Sequence, residues 1–386
     1  MSIEELLSHI DEKEIVKLLS DLVGISSDSS EQSVMEYIGR RLDKIGVDYE
    51  ITEVDVGRQN LTAYTGDGEK SLILNSHMDT VPPGNVENWR TPPLELTRDG
   101  DTLLGLGSCD AKGSLAGMIT AFELLARRSS MLNGRLILQA VCCEETQARG
   151  SLAEVKRGVT ADAAIIGEPT SLVPMIGHKG GLRMYITVLG KAAHGSAPQE
   201  GINAISKMSL IIRELDALAE EIFQRRDPLF GNASLAVTKI DGGEAPNVIP
   251  DKCTIAIDRR LLPGETLDNA KNEVLAVIHR IKQSDPDLET SVELGIGINP
   301  CRISIDGPIV EVVKRSIAQV KGKGQEISGF TACCDMWCLV EGAGIPTMIL
   351  GPGETTTAHK ANEGISASEL HEAAKIYTAI ALNWLS

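Results

Sequence analysis

The feature of this sequence that most constrains its fold is the alternation of short apolar segments with helical patterns. Four compact apolar runs, bounded by glycine or polar residues, are typical of strands covered on both faces: 71–75, 135–141, 163–166 and 347–350. Residues 113–128 carry one apolar stripe at helical spacing, and a final helix is predicted from about Ser366 to Leu385. This alternation predicts an α/β domain whose mostly parallel sheet is flanked by helices.

The middle of the chain has a different order of predicted elements. From Leu182 to about Ile296 the pattern indicates strand, helix, strand, strand, helix and strand, at 182–189, 201–222, 234–240, 253–258, 266–283 and 290–296. This β-α-β-β-α-β order is that of a ferredoxin-like unit. We therefore expect a discontinuous domain formed by residues 1–180 and 297–386, with residues 181–296 inserted as a second domain.

The charge balance argues against one class of partner. The chain has 37 Lys and Arg against 54 Asp and Glu, which gives a formal net charge of −17. Phosphate backbones require clustered basic residues, and an aromatic content of 3% leaves few stacking surfaces for bases. We expect no nucleic-acid partner.

Near the N-terminus, apolar residues recur at helical spacing from Ile15 to Leu22, which is typical of an amphipathic helix and not of a signal peptide. No segment has the roughly 18 uninterrupted apolar residues that span a bilayer. These features predict a cytoplasmic protein with no membrane partner. The eight cysteines are too sparse for a disulfide scaffold and none has C-x-x-C spacing, which favours reduced, buried thiols.

Histidine and acidic residues follow the predicted strands of the α/β domain, where an open sheet places its active site. They are His77 and Asp79 after the first strand, Glu144 and Glu145 after the second, Glu168 after the third and His359 after the fourth, with Asp110 just before a helix. Because these strand ends converge, the carboxylates repel one another unless cations are bound. Imidazole and carboxylate donors without thiolate suit divalent metals, with zinc favoured and cobalt or manganese as alternatives.

Five of these residues are candidate ligands: His77, Asp110, Glu145, Glu168 and His359. They are too many for one catalytic zinc, so the count predicts two ions with Asp110 between them. Glu144 is then free to remove a proton from a metal-held water as general base. Asp79 is predicted to hold the far nitrogen of His77 and fix its tautomer; the alternative is a turn residue that caps Thr80 or Val81.

Six segments, in order over about residues 10–386, resemble those of a known family: His77-Met78-Asp79-Thr80-Val81-Pro82, Gly107-Ser108-Cys109-Asp110-Ala111-Lys112-Gly113, Glu144-Glu145-Thr146, Gly167-Glu168-Pro169-Thr170, Ala193-His194-Gly195-Ser196-Ala197-Pro198 and His359. They resemble the M20 metallopeptidase family, which includes acetylornithine deacetylase, succinyl-diaminopimelate desuccinylase, aminoacylase-1 and glutamate carboxypeptidase. The resemblance implies that one metal is held by His77 and Glu168 and the other by Glu145 and His359. It also implies that Asp110 is the bridge, that Glu144 is the base and that the Asp110–Ala111 peptide bond is cis.

The resemblance also gives the inserted domain a role as lid and dimerisation surface, and implies a homodimer. By the same resemblance, His194 of the inserted domain stabilises the oxyanion, often from the partner subunit. Arg260 pairs with the substrate α-carboxylate, and Asn247 helps to bind that end of the substrate. Arg259 is the fallback for Arg260. Without the resemblance, the residue types alone favour structural roles: His194 as a turn histidine, Asn247 as a turn cap and Arg260 as a solvated charge at a strand end.

The expected function is that of a metal-dependent amidohydrolase that cleaves a small N-acyl amino acid, of the acetylornithine deacetylase or succinyl-diaminopimelate desuccinylase type. The runner-up is a dipeptidase or glutamate-carboxypeptidase-type metallopeptidase, which would take a dipeptide or peptide. A third hypothesis is a non-catalytic metal-binding relative that has kept the fold. The presence of every expected ligand and of the base disfavours it.

Overall fold

A computed structural model describes residues 2–386 of the chain. The described residues form these α-helices: α1 (Ile3–Leu7), α2 (Glu12–Val23), α3 (Gln32–Asp43), α4 (Lys112–Ala126), α5 (Arg149–Arg157), α6 (Ala204–Phe223), α7 (Leu267–Ser284), α8 (Pro308–Lys321), α9 (Met336–Ala343) and α10 (Ala367–Leu385).

The strands alternate with these helices along much of the chain. They are β1 (Tyr49–Asp55), β2 (Arg58–Thr65), β3 (Lys70–His77), β4 (Thr97–Asp99), β5 (Thr102–Leu104), β6 (Gly134–Val141), β7 (Ala163–Ile166), β8 (Met175–His178), β9 (Gly180–Leu189), β10 (Ala193–His194), β11 (Arg226–Asp227), β12 (Gly231–Asn232), β13 (Ser234–Gly242), β14 (Val248–Ile249), β15 (Lys252–Leu261), β16 (Glu289–Ile298), β17 (Cys301–Arg302), β18 (Ser328–Phe330), β19 (Thr347–Ile349) and β20 (Gly364–Ser366).

The chain divides into two compact units. The first contains the described part of Met1–Gly177 together with Arg302–Phe330 and Cys334–Ser386. The second contains His178–Cys301 and Thr331–Cys333. The fold is therefore a mixed α/β fold in which the first unit is assembled from separate stretches of the chain.

The main sheet of the first unit is mixed. Strands β6, β3, β7 and β19 are adjacent and parallel, as the four apolar runs predict. Outside them, β2 is antiparallel to β6, β1 is antiparallel to β2, and β8 is antiparallel to β19. The prediction of a mostly parallel sheet is therefore wrong at the sheet edges.

The antiparallel edge has a local cause in the chain. Strands β1 and β2 are joined by a tight hairpin in which Asp55 pairs with Arg58 and Gly57 takes a left-handed conformation with φ 72°. Such a short connection allows only antiparallel pairing. Strand β1 has no continuous apolar pattern in the sequence, because it is largely exposed and polar.

The second unit is built on an antiparallel sheet with strand order β13-β15-β9-β16. Its principal elements follow the predicted order β9-α6-β13-β15-α7-β16. Along β9, buried Met184 and Ile186 alternate with more exposed residues such as Tyr185, so one face of the sheet belongs to the unit's apolar core. Within the described residues, we find no helix that combines the length and apolar character needed to cross a membrane.

Candidate metal centre

The parallel strands place the predicted ligands at one edge of the main sheet. His77 is the last residue of β3 and pairs with Val141, the last residue of β6, so Glu144 and Glu145 follow the neighbouring strand end. Glu168 comes two residues after β7, where the Gly167 amide donates to the Asn75 carbonyl at 2.8 Å. Carboxyl ends of adjacent parallel strands share an edge, so these side chains converge.

The converging side chains form two groups of three that share Asp110. In each group one ligand atom per residue lies within 4.8 Å of the others: His77, Asp110 and Glu168 in one, and Asp110, Glu145 and His359 in the other. Asp110 divides its oxygens between the groups. Its Oδ1 lies 3.1 Å from His77 Nε2, and its Oδ2 lies 3.3 Å from His359 Nε2.

The outer members of the groups are also close. His77 Nε2 lies 3.9 Å from Glu168 Oε1, and His359 Nε2 lies 2.7 Å from Glu145 Oε1. His77 and Glu168 are buried, whereas the His359 side chain is 50% exposed. One group therefore lies deep in the unit and the other opens toward its surface.

A further carboxylate, Glu363, fixes the turn that carries Asp110. Its Oε1 accepts from the backbone amides of Cys109 and Asp110, both at 2.9 Å, and its Oε2 accepts from that of Gly107 at 3.0 Å. Burial raises the pKa of Glu363 to about 7, although these amides favour the anion. The Asp110–Ala111 peptide bond in this turn is cis, as the resemblance implied.

Asp79 acts differently from either sequence interpretation. Its carboxylate accepts from the backbone amides of Glu144 and Glu145, at 3.2 and 3.1 Å. His77 Nδ1 donates instead to the Asp79 backbone carbonyl at 3.0 Å, and the carboxylate oxygen is 3.6 Å away. The tautomer of His77 is thus set by the main chain of Asp79, while its side chain fixes the Glu144–Glu145 segment.

The electrostatics show a surplus of negative charge. Burial raises the pKa of Glu144 and of Glu168 well above the ordinary value, and the negative charge of nearby carboxylates raises both further. Burial opposes protonation of His77, but the hydrogen bond to Asp110 and the nearby Asp79 carboxylate raise its pKa well above normal. Hydrogen bonds to Asp110 and Glu145 raise the pKa of His359 to about 10. Burial would raise the pKa of Asp110, yet the two imidazoles lower it.

This donor set fits two divalent metal ions. Each group offers one imidazole, one terminal carboxylate and one oxygen of Asp110, and neither contains a thiolate. Three protein ligands per ion leave positions for water and substrate. The carboxylates that repel one another here would be neutralised by such ions.

Glu144 is positioned by its backbone and not by its side chain. Its amide is held by Asp79, but across residues 2–386 no hydrogen-bond partner of its half-buried carboxylate is found. A carboxylate left available next to two candidate ion positions can exchange a proton with a water molecule or a substrate atom.

Sequence reasoning missed a supporting carboxylate, Asp335. It is 1% exposed, and its Oδ2 accepts from Ser151 Oγ at 2.5 Å. Burial raises the pKa of Asp335 to about 6, and its charge in turn contributes to the raised pKa values of Glu144 and Glu168. Its place in Cys-Cys-Asp-Met-Trp gives no spacing signal. Glu363 likewise lies four residues after His359 with no sequence pattern that predicts its role.

The other predicted residues belong to the second unit. His194 is exposed in β10, and its Nδ1 lies 2.7 Å from Ser196 Oγ. Its neighbour across the strand pair is Val248 of β14, and the exposed Asn247 just before that strand accepts the Gly195 amide on its backbone carbonyl at 2.7 Å. His194 and Asn247 are thus brought to one short strand pair.

The two adjacent arginines of β15 differ in environment. Arg259 is 1% exposed and donates to Glu265 at 2.5 Å. Arg260 is 34% exposed, and its Nε donates to Asp258 Oδ1 at 2.7 Å. Arg259 is committed to the interior of its unit, whereas Arg260 keeps part of its guanidinium open.

Comparison with known proteins decides the family. The family model described as peptidase family M20/M25/M40 matches residues 73–383. The chain is a member of the M20 peptidase family. As an M20 protein it is a metal-dependent hydrolase, and the matched range contains both groups of candidate ligands.

Relatives of this M20 hydrolase match it over most of their length. An acetylornithine deacetylase of Aliivibrio salmonicida is 32% identical over 365 residues, which cover 92% of this chain and 94% of the relative. A probable succinyl-diaminopimelate desuccinylase of Staphylococcus epidermidis is 27% identical, with the same coverage of 92% and 94%. The solved M20 family metallo-carboxypeptidase Sso-CP2 of Sulfolobus solfataricus has the same fold, with a TM-score of 0.82, 18% identity and coverage of 96% and 99%.

Proposed function

We propose that this M20 hydrolase uses two metal ions to cleave the amide bond of small N-acyl amino acids, as an acetylornithine deacetylase or succinyl-diaminopimelate desuccinylase would. One observation carries the two-metal part. The carboxylate of Asp110 directs one oxygen to His77 and the other to His359, at 3.1 and 3.3 Å from their Nε2 atoms. Five protein ligands are too many for one catalytic ion. With two ions, each would have three protein ligands, because Asp110 contributes one oxygen to each.

His77, Glu168 and Asp110 would hold one ion, and Glu145, His359 and Asp110 the other. Zinc is favoured for imidazole and carboxylate donors, with cobalt or manganese as alternatives. When bound, such ions polarise an amide carbonyl and lower the pKa of water toward neutrality. The Asp79 carbonyl, which accepts from His77 Nδ1, leaves Nε2 as the donor atom for the ion.

The protein's own groups then move the proton. The Glu144 carboxylate takes a proton from water as water attacks the amide carbon, and it delivers that proton to the leaving amine nitrogen. The two hydrogen bonds from the Glu144 and Glu145 amides to Asp79 support this assignment, because they fix the backbone from which base and ligand project. No covalent bond to the enzyme is needed.

We assign residues 181–296, which lie within the second unit, as a ferredoxin-like lid and dimerisation domain, with residues 1–180 and 297–386 as the catalytic domain. Exposed apolar side chains on β9 support a homodimer through the lid, since Tyr185 is 41% and Leu189 44% exposed. His194 would stabilise the oxyanion. Arg260, with Asn247, would bind the substrate α-carboxylate, because Arg259 is already paired inside the unit.

The substrate class is supported by the two relatives named above, a deacetylase and a desuccinylase that share 32% and 27% identity with the chain. The test is a panel of N-acetyl and N-succinyl amino acids beside dipeptides and C-terminally unblocked peptides. The enzyme is assayed after chelation and again after addition of zinc, cobalt or manganese.

We expect chelation to abolish hydrolysis and metal to restore it, with N-acyl amino acids cleaved faster than peptides. Faster cleavage of dipeptides or of C-terminal residues would replace the substrate class with the peptidase alternative. Metal binding without hydrolysis of any substrate would favour a non-catalytic relative.

A further inference from the structure

A second cluster of metal-binding side chains lies outside the paired metal groups. Glu31, Cys142 and Cys143 are each 0% exposed, and one ligand atom from each lies within 4.8 Å of the other two. We propose that these three residues, the thiol site, bind one thiophilic divalent cation such as Zn²⁺ or Cd²⁺.

The fold brings consecutive cysteines to the same carboxylate. Cys142 and Cys143 follow β6, and Cys143 has a left-handed backbone with φ 60°. In an extended strand their side chains would point to opposite faces, so this turn at the strand end is what lets both reach one point. The Cys142 amide donates to Asn60 Oδ1 at 3.0 Å, which holds the segment in place.

The carboxylate of the thiol site is only half satisfied. Glu31 precedes α3, and its Oε1 accepts from Arg58 Nη1 at 2.6 Å and from the Cys143 amide at 3.3 Å. Its Oε2 is buried without a hydrogen-bond partner in the described part of the chain. A buried carboxylate oxygen without a partner is costly, and a bound cation would supply the missing interaction.

The donors of the thiol site are softer than those of the paired groups. Two thiolates and a carboxylate suit zinc and cadmium and disfavour magnesium, calcium and manganese. With a divalent ion bound, the ion and its three anionic ligands together carry a net charge of −1. Arg58 on Glu31 and Arg149, whose Nη2 lies 3.6 Å from Cys143 Sγ, offset that charge.

The thiol site is buried yet close to the surface. The Arg149 side chain is 42% exposed and pairs with the exposed Asp55 at 2.9 Å. Arg149 is therefore a solvent-exposed side chain that also contacts Cys143 of the thiol site.

The test is a cadmium titration of the full chain that has been reconstituted with zinc. The ultraviolet thiolate-to-cadmium absorption band is recorded, and bound cadmium and zinc are counted by elemental analysis. We expect the band to saturate at one ion per chain. The double variant Cys142→Ser/Cys143→Ser should lose the band and hold one metal ion fewer than the wild type.

Two further variants make the result specific. Cys253→Ser changes a buried cysteine of the second unit and should keep the band. Glu31→Gln keeps both thiols and should weaken cadmium binding at least about tenfold. If the double variant folds poorly, the cadmium affinity of Glu31→Gln tests the proposal instead.

A wild-type protein without the band, a double variant with an undiminished band, or unchanged affinity in Glu31→Gln would each overturn the proposal. The band does not depend on hydrolysis or on ions held by imidazole and carboxylate. The cadmium test can therefore succeed or fail independently of the proposed amidohydrolase activity.

Discussion

Asp110 and Glu144 occupy contrasting positions at the scale of single residues. Asp110 accepts a hydrogen bond from His77, lies 3.3 Å from His359 Nε2 and has its amide held by Glu363. The Glu144 carboxylate, in contrast, keeps no partner among the described side chains. We expect Asp110→Ala to lose metal. We expect Glu144→Ala to retain both ions and lose turnover by about 10²–10⁴-fold.

Metal content by elemental analysis and kcat on an N-acyl amino acid measure the two effects separately. Comparable metal loss in both variants would contradict the division into ligand and base.

Substitutions of the two adjacent arginines of β15 should have different effects. Arg260→Ala is expected to raise KM for a substrate with an α-carboxylate while the unfolding free energy changes little, because Arg260 is partly exposed. Arg259→Ala removes a buried cation from the partly buried Glu265 and Glu273 and should cost about 3 kcal/mol in denaturant unfolding. The reverse pattern, in which Arg259→Ala affects only KM, would make Arg259 the substrate residue.

Residues of the metal centre differ in how well the sequence predicts them. His77, Glu145 and Glu168 could be found because each ends or follows an apolar strand. The roles of the Asp79 and Glu363 carboxylates could not, because both bind backbone amides, and Glu363 reaches Gly107 across 256 positions of sequence. Such contacts depend on the path of a loop and leave no periodic pattern.

At the scale of elements, Glu363 joins two loops. It follows His359 by four residues and binds the turn that carries Asp110. In Glu363→Gln the side chain keeps one acceptor oxygen in place of two, so the Asp110 turn should loosen. We expect metal affinity to fall about 10–100-fold, with kcat of the fully loaded enzyme less affected.

Metal competition with a chromophoric chelator measures this affinity. Glu326→Gln makes the same chemical change at an exposed position and serves as control. Equal affinities in the two variants would show that the turn holds its shape without Glu363.

The end of β8 supplies a pH-dependent contribution to stability. His178 is buried, its Nδ1 donates to the Lys179 carbonyl at 2.7 Å and its Nε2 has no partner among the described residues. Burial lowers its pKa to about 4. The unfolded chain therefore binds a proton below about pH 6.5 that the folded chain accepts only near pH 4, and stability is lost as the pH falls through this window.

Between neutral pH and pH 4, His178→Leu should lose about 3 kcal/mol less unfolding free energy than the wild type. This figure follows from the difference between the pKa of histidine in the unfolded chain and that of buried His178. Urea unfolding of the metal-free protein between pH 7 and pH 4 measures it, with the exposed His279→Leu as control. Parallel pH profiles for wild type and His178→Leu would contradict the assignment.

Elements were predicted well where an apolar run or stripe marked them. Strands β3, β6, β7 and β19 are recognisable because the sheet interior demands continuous apolar side chains. Strand direction was predicted less well, because the β1–β2 hairpin is set by a short turn near Gly57 and by largely polar residues. Periodicity reports burial and does not report which neighbour a strand pairs with.

At the scale of the whole molecule, the proposed dimer can be tested through His194. An inactive Glu144→Ala chain mixed with a His194→Ala chain should regain part of the activity if the histidine acts across the dimer. One combination in the mixed dimer then joins an intact base with an intact histidine.

Activity is measured after unfolding and refolding of the mixture, and native mass spectrometry verifies that mixed dimers are present. Each variant refolded alone is the control. If verified mixed dimers show no rescue, His194 acts in the active site of its own subunit or takes no part in the reaction.

The distribution of the proposed metal ligands along the chain sets when the proposed centre can form. During synthesis His77, Asp110, Glu145 and Glu168 emerge well before His359, and Glu363, which fixes the Asp110 turn, follows it. A partly synthesised chain can offer carboxylates to an ion but cannot complete both coordination groups. Full metal loading is therefore expected to be a late event that follows release of the C-terminal segment from the ribosome.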